Sequence, residues 1–168
     1  MTQQDRGRDG AGVSDELIDY DRVADVYDLY VTSDLDIDFY VEEISKVRGK
    51  VLELMCGTGR ISVPLLEAGV YLTCVDASEG MLARLEQRLR IRKLKARVVR
   101  SDVRYLGLRE EEFEVAFIPF HSFSELVSSS DQKLALSAIY ACLKEGATLS
   151  AHSTIRPSEP GQQTAPSG

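Results

Sequence analysis

Apolar positions recur along this chain at two spacings, and the change between them predicts the order of its secondary structure. Near the start they return every three or four residues, which is the period of an amphipathic helix. From residue 51 onward, short apolar runs typical of buried strands alternate with longer helical stretches. The first helix is predicted around Ile18, Val23, Val26 and Tyr27, and the second around Ile37, Phe39, Tyr40, Ile44 and Val47.

The second half of the pattern predicts a parallel sheet. Helices between successive strands require crossover connections, which are right-handed and place helices on the faces of the sheet. The expected fold is therefore α/β, with a doubly wound, Rossmann-like, mostly parallel sheet covered by helices on both faces. The predicted strands are 51–54, 71–75, 96–99, 115–118 and 148–151, and the predicted helices between them are 61–68, 78–89 and 131–143.

Composition at the two ends bounds the folded domain. Residues 1–14 carry Gly, Asp, Gln and Arg with little to bury, so we expect them to be disordered. We place one domain at residues 15–153, because 168 residues suit a single hydrophobic core. Residues 154–168 form a predicted disordered Pro/Gly/Ser/Gln tail, which holds three of the five prolines.

The lengths of the apolar runs and the spacing of the cysteines exclude several classes of protein. No apolar run approaches the roughly 18 residues of a membrane span, and the polar start lacks the apolar centre of a signal peptide. We therefore expect a cytoplasmic protein without a membrane partner. Cys56, Cys74 and Cys142 form no C-x-x-C pair, which argues against both a disulfide framework and a zinc site.

The net charge of −7 opposes general attraction to nucleic acid. Arginines and lysines nevertheless crowd residues 84–100, which suggests either a local nucleic-acid patch or the solvated face of a helix. No aromatic residue interleaves this run to stack on bases, so we favour the solvated face.

The turn after the first predicted strand carries the main candidate chemistry. Gly57 and Gly59 permit a tight turn and a close ligand approach, and Glu53 adds a carboxylate at the strand end. Asp76 ends the second strand 19 positions after Gly57, where such folds present an acid to a ribose diol. A helix-capping role for Asp76 is the alternative, but Ser78 already supplies a cap. Asp102 ends the third strand and is placed to accept from an amine.

Four stretches together resemble the class I S-adenosylmethionine-dependent methyltransferases of the small-molecule branch. They are LELMCGTGR, CVDASEGML, SDV and FEVAFIPFHSF, and the resemblance runs from about Tyr20 to about His152. The segment YDRVADVYD at residues 20–28 resembles the family's N-terminal Y-x-x-x-A-x-x-Y-D pattern. Met55 departs from the family, because it stands where a first glycine is common. Either this turn does not demand a positive φ at Met55, or the loop is shifted.

The resemblance implies S-adenosyl-L-methionine as the cofactor and assigns contacts to it. Glu53 and Gly57 would meet the methionyl amine, Asp76 the ribose, and Asp102 with the Val103 amide the adenine. Met81 would lie against the adenine, although its spacing also fits a core stripe. The remaining residues assigned to the cofactor site are Tyr20 or Tyr27 at the methionyl end, Gly59, Ala77 and Phe120.

The same resemblance implies methyl transfer to nitrogen or oxygen of a small-molecule acceptor. His121 follows the fourth strand, where the methyl group should emerge, and is a candidate general base or a loop histidine bonded to backbone. Family members usually continue with another helix and two more strands, which this chain replaces with its tail. We therefore keep a catalytically incompetent cofactor-binding module as the alternative. A nicotinamide site would require a third glycine, which is absent, and this argues against a dehydrogenase.

The exposed edge of strand 148–151 suggests pairing with a second copy of the chain, as a homodimer.

Overall fold

The computed structural model describes residues 19–30, 36–119 and 122–151. The segments predicted to be disordered, 1–14 and 154–168, lie outside the described residues, as does Ile18 of the first predicted helix.

The described residues form one sheet of five parallel strands in the order β3-β2-β1-β4-β5. This confirms the predicted fold class. The chain leaves β1 toward β2 and β3 and later returns to the other side of β1 with β4 and β5, so the winding direction reverses between β1 and β4. The strands are β1 (Lys50–Leu54), β2 (Tyr71–Asp76), β3 (Arg97–Arg100), β4 (Phe113–Ile118) and β5 (Leu143–Ala151).

Helices cover both faces of the sheet. Successive residues of β1 point to opposite faces, so Val51 joins one apolar cluster with α3, α4 and α5, while Leu52 joins another with α6. Both faces of β1 are buried, which explains its continuous apolar run. The helices are α1 (Tyr20–Val23), α2 (Tyr27–Tyr30), α3 (Ile37–Ile44), α4 (Ser62–Glu67), α5 (Glu79–Arg92) and α6 (Ser129–Cys142), with 3-10 helices at Val103–Tyr105 and Ser122–Glu125.

The first predicted helix is wrong as a single element, because its described part consists of the two short helices α1 and α2. Asp21 of α1 bonds to Ser78 and Gly80 at the start of α5, and Ala24 is buried beside Gly80. These tertiary contacts turn the chain after α1, although the spacing of apolar residues would allow a continuous helix.

The last helix and strand meet without a loop. α6 begins at Ser129, capped by the Ser128 hydroxyl, and β5 begins directly after Cys142, five residues earlier than the predicted strand at 148. An irregularity in the pairing between Phe113 and Val115 absorbs the extra residues. β5 lies at one edge of the sheet, as expected, and the homodimer through this edge stays a prediction.

Arginines of the basic run at residues 84–100 form ion pairs with acidic side chains. Arg92 pairs with Glu67 at 2.7 Å, and Arg97 pairs with Glu112 at 3.2 Å. The side chains of both arginines are about half exposed, which supports the interpretation of the run as a solvated face. Within the described ranges, no helix is long and apolar enough to cross a membrane.

Candidate cofactor site

The turn after β1 is fastened to the end of β2. The Cys56 N–H donates to the Val75 carbonyl at 3.0 Å, and the Gly57 N–H donates to Oδ2 of Asp76 at 2.7 Å. Gly57 has φ +56°, and the position of its missing Cβ faces open space. The turn therefore needs glycine at Gly57 for its backbone conformation and leaves room beside it for a ligand.

Met55 does adopt the left-handed conformation, with φ 56°. The possibility that this turn does not demand a positive φ at Met55 is therefore wrong: the residue has a positive φ, and its unbranched side chain accepts it. A non-glycine residue in this region is destabilised by roughly 1–2 kcal/mol. Met55 also lines the cavity beyond the turn, so the strained residue lies at the site itself.

Gly59 packs against α5. It is buried with φ +85°, and a Cβ there would lie 2.3 Å from Cδ1 of Leu85 on α5. It is not among the residues that line the cavity. Glycine at this position lets α5 pack closely against the turn, and the assignment of Gly59 to direct cofactor contact stays a prediction.

A cavity of about 860 Å³ opens beyond the carboxyl ends of β1, β2 and β3. It brings together most of the residues that the sequence analysis assigned to the cofactor, including Met81, which is buried and also packs in the core. Predicted residues that line it are Tyr20, Tyr27, Gly57, Asp76, Ala77, Met81, Asp102 and Val103. Lining residues not assigned from the sequence are Asp19, Asp21, Met55, Ser78, Ser101, Arg104, Ser122, Glu125, Leu126 and Val127.

Asp76 lines the cavity and also accepts hydrogen bonds from the backbone at the start of α5, so its position is compatible with both roles considered for it. Its Oδ1 accepts from the Ser78 N–H at 2.9 Å, while its Oδ2 holds Gly57. Burial raises the pKa of Asp76, and the backbone N–H donors of Ser78, Gly57 and Ala77 oppose that rise. Ser78 caps α5 through its hydroxyl, which accepts from the Met81 N–H at 3.1 Å. The carboxylate is thus fixed at the cavity wall by backbone donors.

Asp102 is held by an arginine that follows it in sequence. Arg104 Nε lies 2.9 Å from Oδ1, and Arg104 Nη2 lies 2.5 Å from Oδ2. This guanidinium is the largest cause that lowers the pKa of Asp102. Arg104 also reaches Asp131 on α6 at 3.1 Å, which ties this wall of the cavity to the helix behind it.

The N-terminal helix α1 forms the opposite wall and is attached by two carboxylates. Asp21 Oδ1 accepts from the Ser78 hydroxyl at 2.6 Å and from the Gly80 N–H at 2.8 Å. The Tyr20 hydroxyl donates to Oε1 of Glu125 at 2.5 Å, across 105 positions of sequence. The rings of Tyr20 and Tyr27 meet edge to face, with centroids 6.1 Å apart. Asp21 stood within the quoted YDRVADVYD segment, whereas no local pattern indicated Glu125.

Glu53 does not line the cavity, contrary to the expectation that it meets the ligand at the same rim as Asp76 and Asp102. It is fully buried, and neither carboxyl oxygen has a hydrogen-bond partner among the described residues. The buried hydroxyls of Tyr40 and Ser62 are unpartnered in the same sense. Burial raises the pKa of Glu53 to about 8, and the nearby Ser62 hydroxyl, followed by the positive charge of Arg60, works against that rise. Phe120 and His121 lie outside the described residues, so their roles stay predictions.

The residues that are present suit S-adenosyl-L-methionine. The cavity volume falls within the range of about 300–1,000 Å³ that is usual for small-molecule sites. Asp76 and Asp102 offer acceptors for a diol and an amine, and Gly57 leaves the turn open. Glu53 adds a buried carboxyl group without a donor, next to the same turn, although it does not reach the cavity wall.

Fold and site together define a cofactor-binding α/β domain, and comparison with known proteins identifies its family. The family described as "Methyltransferase domain" matches residues 51–146. A glycine/sarcosine N-methyltransferase of Halorhodospira halochloris is 31% identical over 153 residues, with 84% of this chain and 57% of the relative covered. The chain therefore belongs to the class I S-adenosylmethionine-dependent methyltransferases.

Solved structures agree with this assignment. An S-adenosylmethionine-dependent methyltransferase from Clostridium acetobutylicum ATCC 824 gives a TM-score of 0.65 at 28% identity, covering 77% of this chain and 55% of that one. The glycopeptide N-methyltransferase MtfA, complexed with S-adenosyl-L-methionine, gives 0.60 at 25% identity, covering 68% and 47%. The chain spans about half the length of the curated relatives it matches.

Proposed function

We propose that this chain binds S-adenosyl-L-methionine in the cavity and serves methyl transfer to nitrogen or oxygen of a small molecule. The observation that supports this most directly is the fixed Asp76 carboxylate, which lines the cavity beside the open turn at Gly57. Backbone donors hold Asp76 in place before any ligand arrives, and such preorganisation reduces the free-energy cost of binding.

The bound cofactor would supply a methyl group on a sulfonium, which is already activated for transfer. The residues of this chain would bind the cofactor, orient it and exclude water from the site. We assign the ribose to Asp76, the adenine to Asp102 and Val103 with Met81 beneath, and the methionyl end to the Tyr20 and Tyr27 side of the cavity. Holding the two reactants in line can account for roughly 7–11 kcal/mol of the barrier.

Two of the similar proteins favour nitrogen as the acceptor atom. The Halorhodospira halochloris relative is a glycine/sarcosine N-methyltransferase, and MtfA is a glycopeptide N-methyltransferase. Small-molecule transfer is the common element, and nitrogen is the acceptor that we propose first.

Calorimetric titration with S-adenosyl-L-methionine and S-adenosylhomocysteine tests the binding part of the proposal. Both should bind, and Asp76→Ala should weaken them at least about tenfold, since it removes charge-assisted hydrogen bonds from the site. Glu79→Ala is the matched control, because Glu79 is an exposed neighbouring carboxylate that lies outside the cavity. Absence of binding to folded protein would refute the proposal.

Incubation with cofactor labelled in the methyl group tests the transfer part. A panel of matched amines, phenols and carboxylates should yield labelled product from amines. Cofactor binding without transfer to any acceptor would instead support the alternative of a binding module without turnover.

A further inference from the structure

Glu125 is placed where an acceptor would enter the cavity. It ends the 3-10 helix Ser122–Glu125 that follows β4, and it lines the cavity together with its neighbours Leu126 and Val127. Val127 is 82% exposed, so this part of the lining opens to solvent. Asp76 and Glu125 line the same cavity.

The hydrogen bonding of Glu125 differs from that of the other cavity carboxylates. Asp76 accepts from two backbone N–H groups, and Asp102 accepts from a guanidinium. Glu125 accepts from the neutral Tyr20 hydroxyl, which is its donor among the described residues. The bond from the Tyr20 hydroxyl has one charged partner, the carboxylate, whereas an ammonium group in place of the hydroxyl adds the attraction between opposite charges.

The charge of the cavity favours the same exchange. The described lining carries five carboxylates, those of Asp19, Asp21, Asp76, Asp102 and Glu125, and one guanidinium, that of Arg104. Arg104 is engaged with Asp102 and Asp131. Partial burial, followed by the negative charge of Asp76, raises the pKa of Glu125 despite the opposing bond from Tyr20. A positive or N–H-rich partner would relieve this excess of negative charge.

We propose that Glu125 holds the acceptor nitrogen of an amine substrate, taking its N–H groups in exchange for the Tyr20 hydroxyl, and so selects amines over alcohols. An amine presents N–H donors to a carboxylate in both of its protonation states. The proposal rests on the proposed function and narrows its acceptor to the class of amines.

Equilibrium binding of two probes tests the selection without any turnover. Glycinamide and glycolamide have the same size, but glycinamide carries an amine where glycolamide carries a hydroxyl. Each is titrated into the ¹⁵N-labelled 168-residue chain saturated with S-adenosylhomocysteine, and shifts of backbone amide signals are followed. Glycinamide should bind at least about tenfold more tightly, and Glu125→Gln should remove that preference.

The matched control is Glu86→Gln, which removes one exposed negative charge on α5 outside the cavity and should keep the preference. A cooperative urea unfolding transition of Glu125→Gln shows that the variant is folded. Equal binding of the two probes to the unaltered chain, or a preference that survives Glu125→Gln, overturns this inference alone. Failure of S-adenosylhomocysteine to bind overturns the proposed function and this inference together.

Discussion

The Gly57 N–H and Oδ2 of Asp76 lie 2.7 Å apart, and this hydrogen bond joins the turn after β1 to the end of β2. The two residues are 19 positions apart in sequence and adjacent in the sheet because β1 and β2 pair in parallel, with Leu54 opposite Val75. One carboxylate thus shapes the glycine turn and faces the cavity. A ligand that contacts Asp76 would therefore be coupled to the backbone conformation of this turn.

Alanine at the two glycines of this turn should destabilise the protein to different extents. Gly57→Ala places a methyl group in open space at positive φ and should cost about 1–2 kcal/mol of unfolding free energy. Gly59→Ala adds a clash with Leu85 and should cost roughly 1–3 kcal/mol more. Urea unfolding measures both. Calorimetry should show weaker S-adenosylhomocysteine binding for Gly57→Ala, and equal losses of stability would contradict the packing role of Gly59.

Met55 offers a direct measurement of strain at the site. Met55→Ala and Met55→Gly both remove the side chain, but glycine alone relieves the positive φ of 56°. The glycine variant should therefore be about 1 kcal/mol more stable than the alanine variant in thermal or urea unfolding. An alanine variant as stable as the glycine variant would show that the turn shifts when the side chain is lost.

Periodicity and spacing predicted the sheet and the placement of Asp76 and Asp102, because strand ends in a parallel sheet converge on one edge whatever the loops between them do. The strands and helices could be predicted without tertiary information. Their observed boundaries differ from the predicted ones mainly where α6 runs directly into β5.

Sequence could not separate the roles of Gly57 and Gly59, since both have positive φ and only the neighbouring side chains differ. Glu53 was predicted to face the ligand because it lies near the end of a strand. It precedes the last residue of β1, however, and its side chain points into the apolar layer near α4 rather than into the cavity. Glu125 was missed because its partner Tyr20 is 105 positions away, a distance that no local pattern can bridge.

Asp21 should hold α1 against α5 in a pH-dependent way. The hydrogen bond from Ser78, followed by that from Gly80, lowers the pKa of Asp21 below its ordinary value. The attachment is therefore complete at neutral pH and is lost as the pH falls through the lowered value. Asp21→Asn should speed amide hydrogen exchange in α1 and weaken S-adenosylhomocysteine binding at neutral pH. The exposed Asp38→Asn on α3 is the control, and unchanged exchange in Asp21→Asn would contradict this attachment.

Glu53 should make the stability of the protein fall as the pH rises. Its pKa is raised from 4.5 to about 8 by burial, so between these values the folded state keeps a proton that the unfolded state has released. This group alone should lower the unfolding free energy by roughly 3 kcal/mol between pH 4.5 and pH 7. Glu53→Gln lacks the titration, so its stability advantage over the unaltered chain should grow by that amount across the range, as urea unfolding at several pH values can measure. Parallel stability curves would show that Glu53 is ionised in the folded protein and finds a cation or water that lowers its pKa.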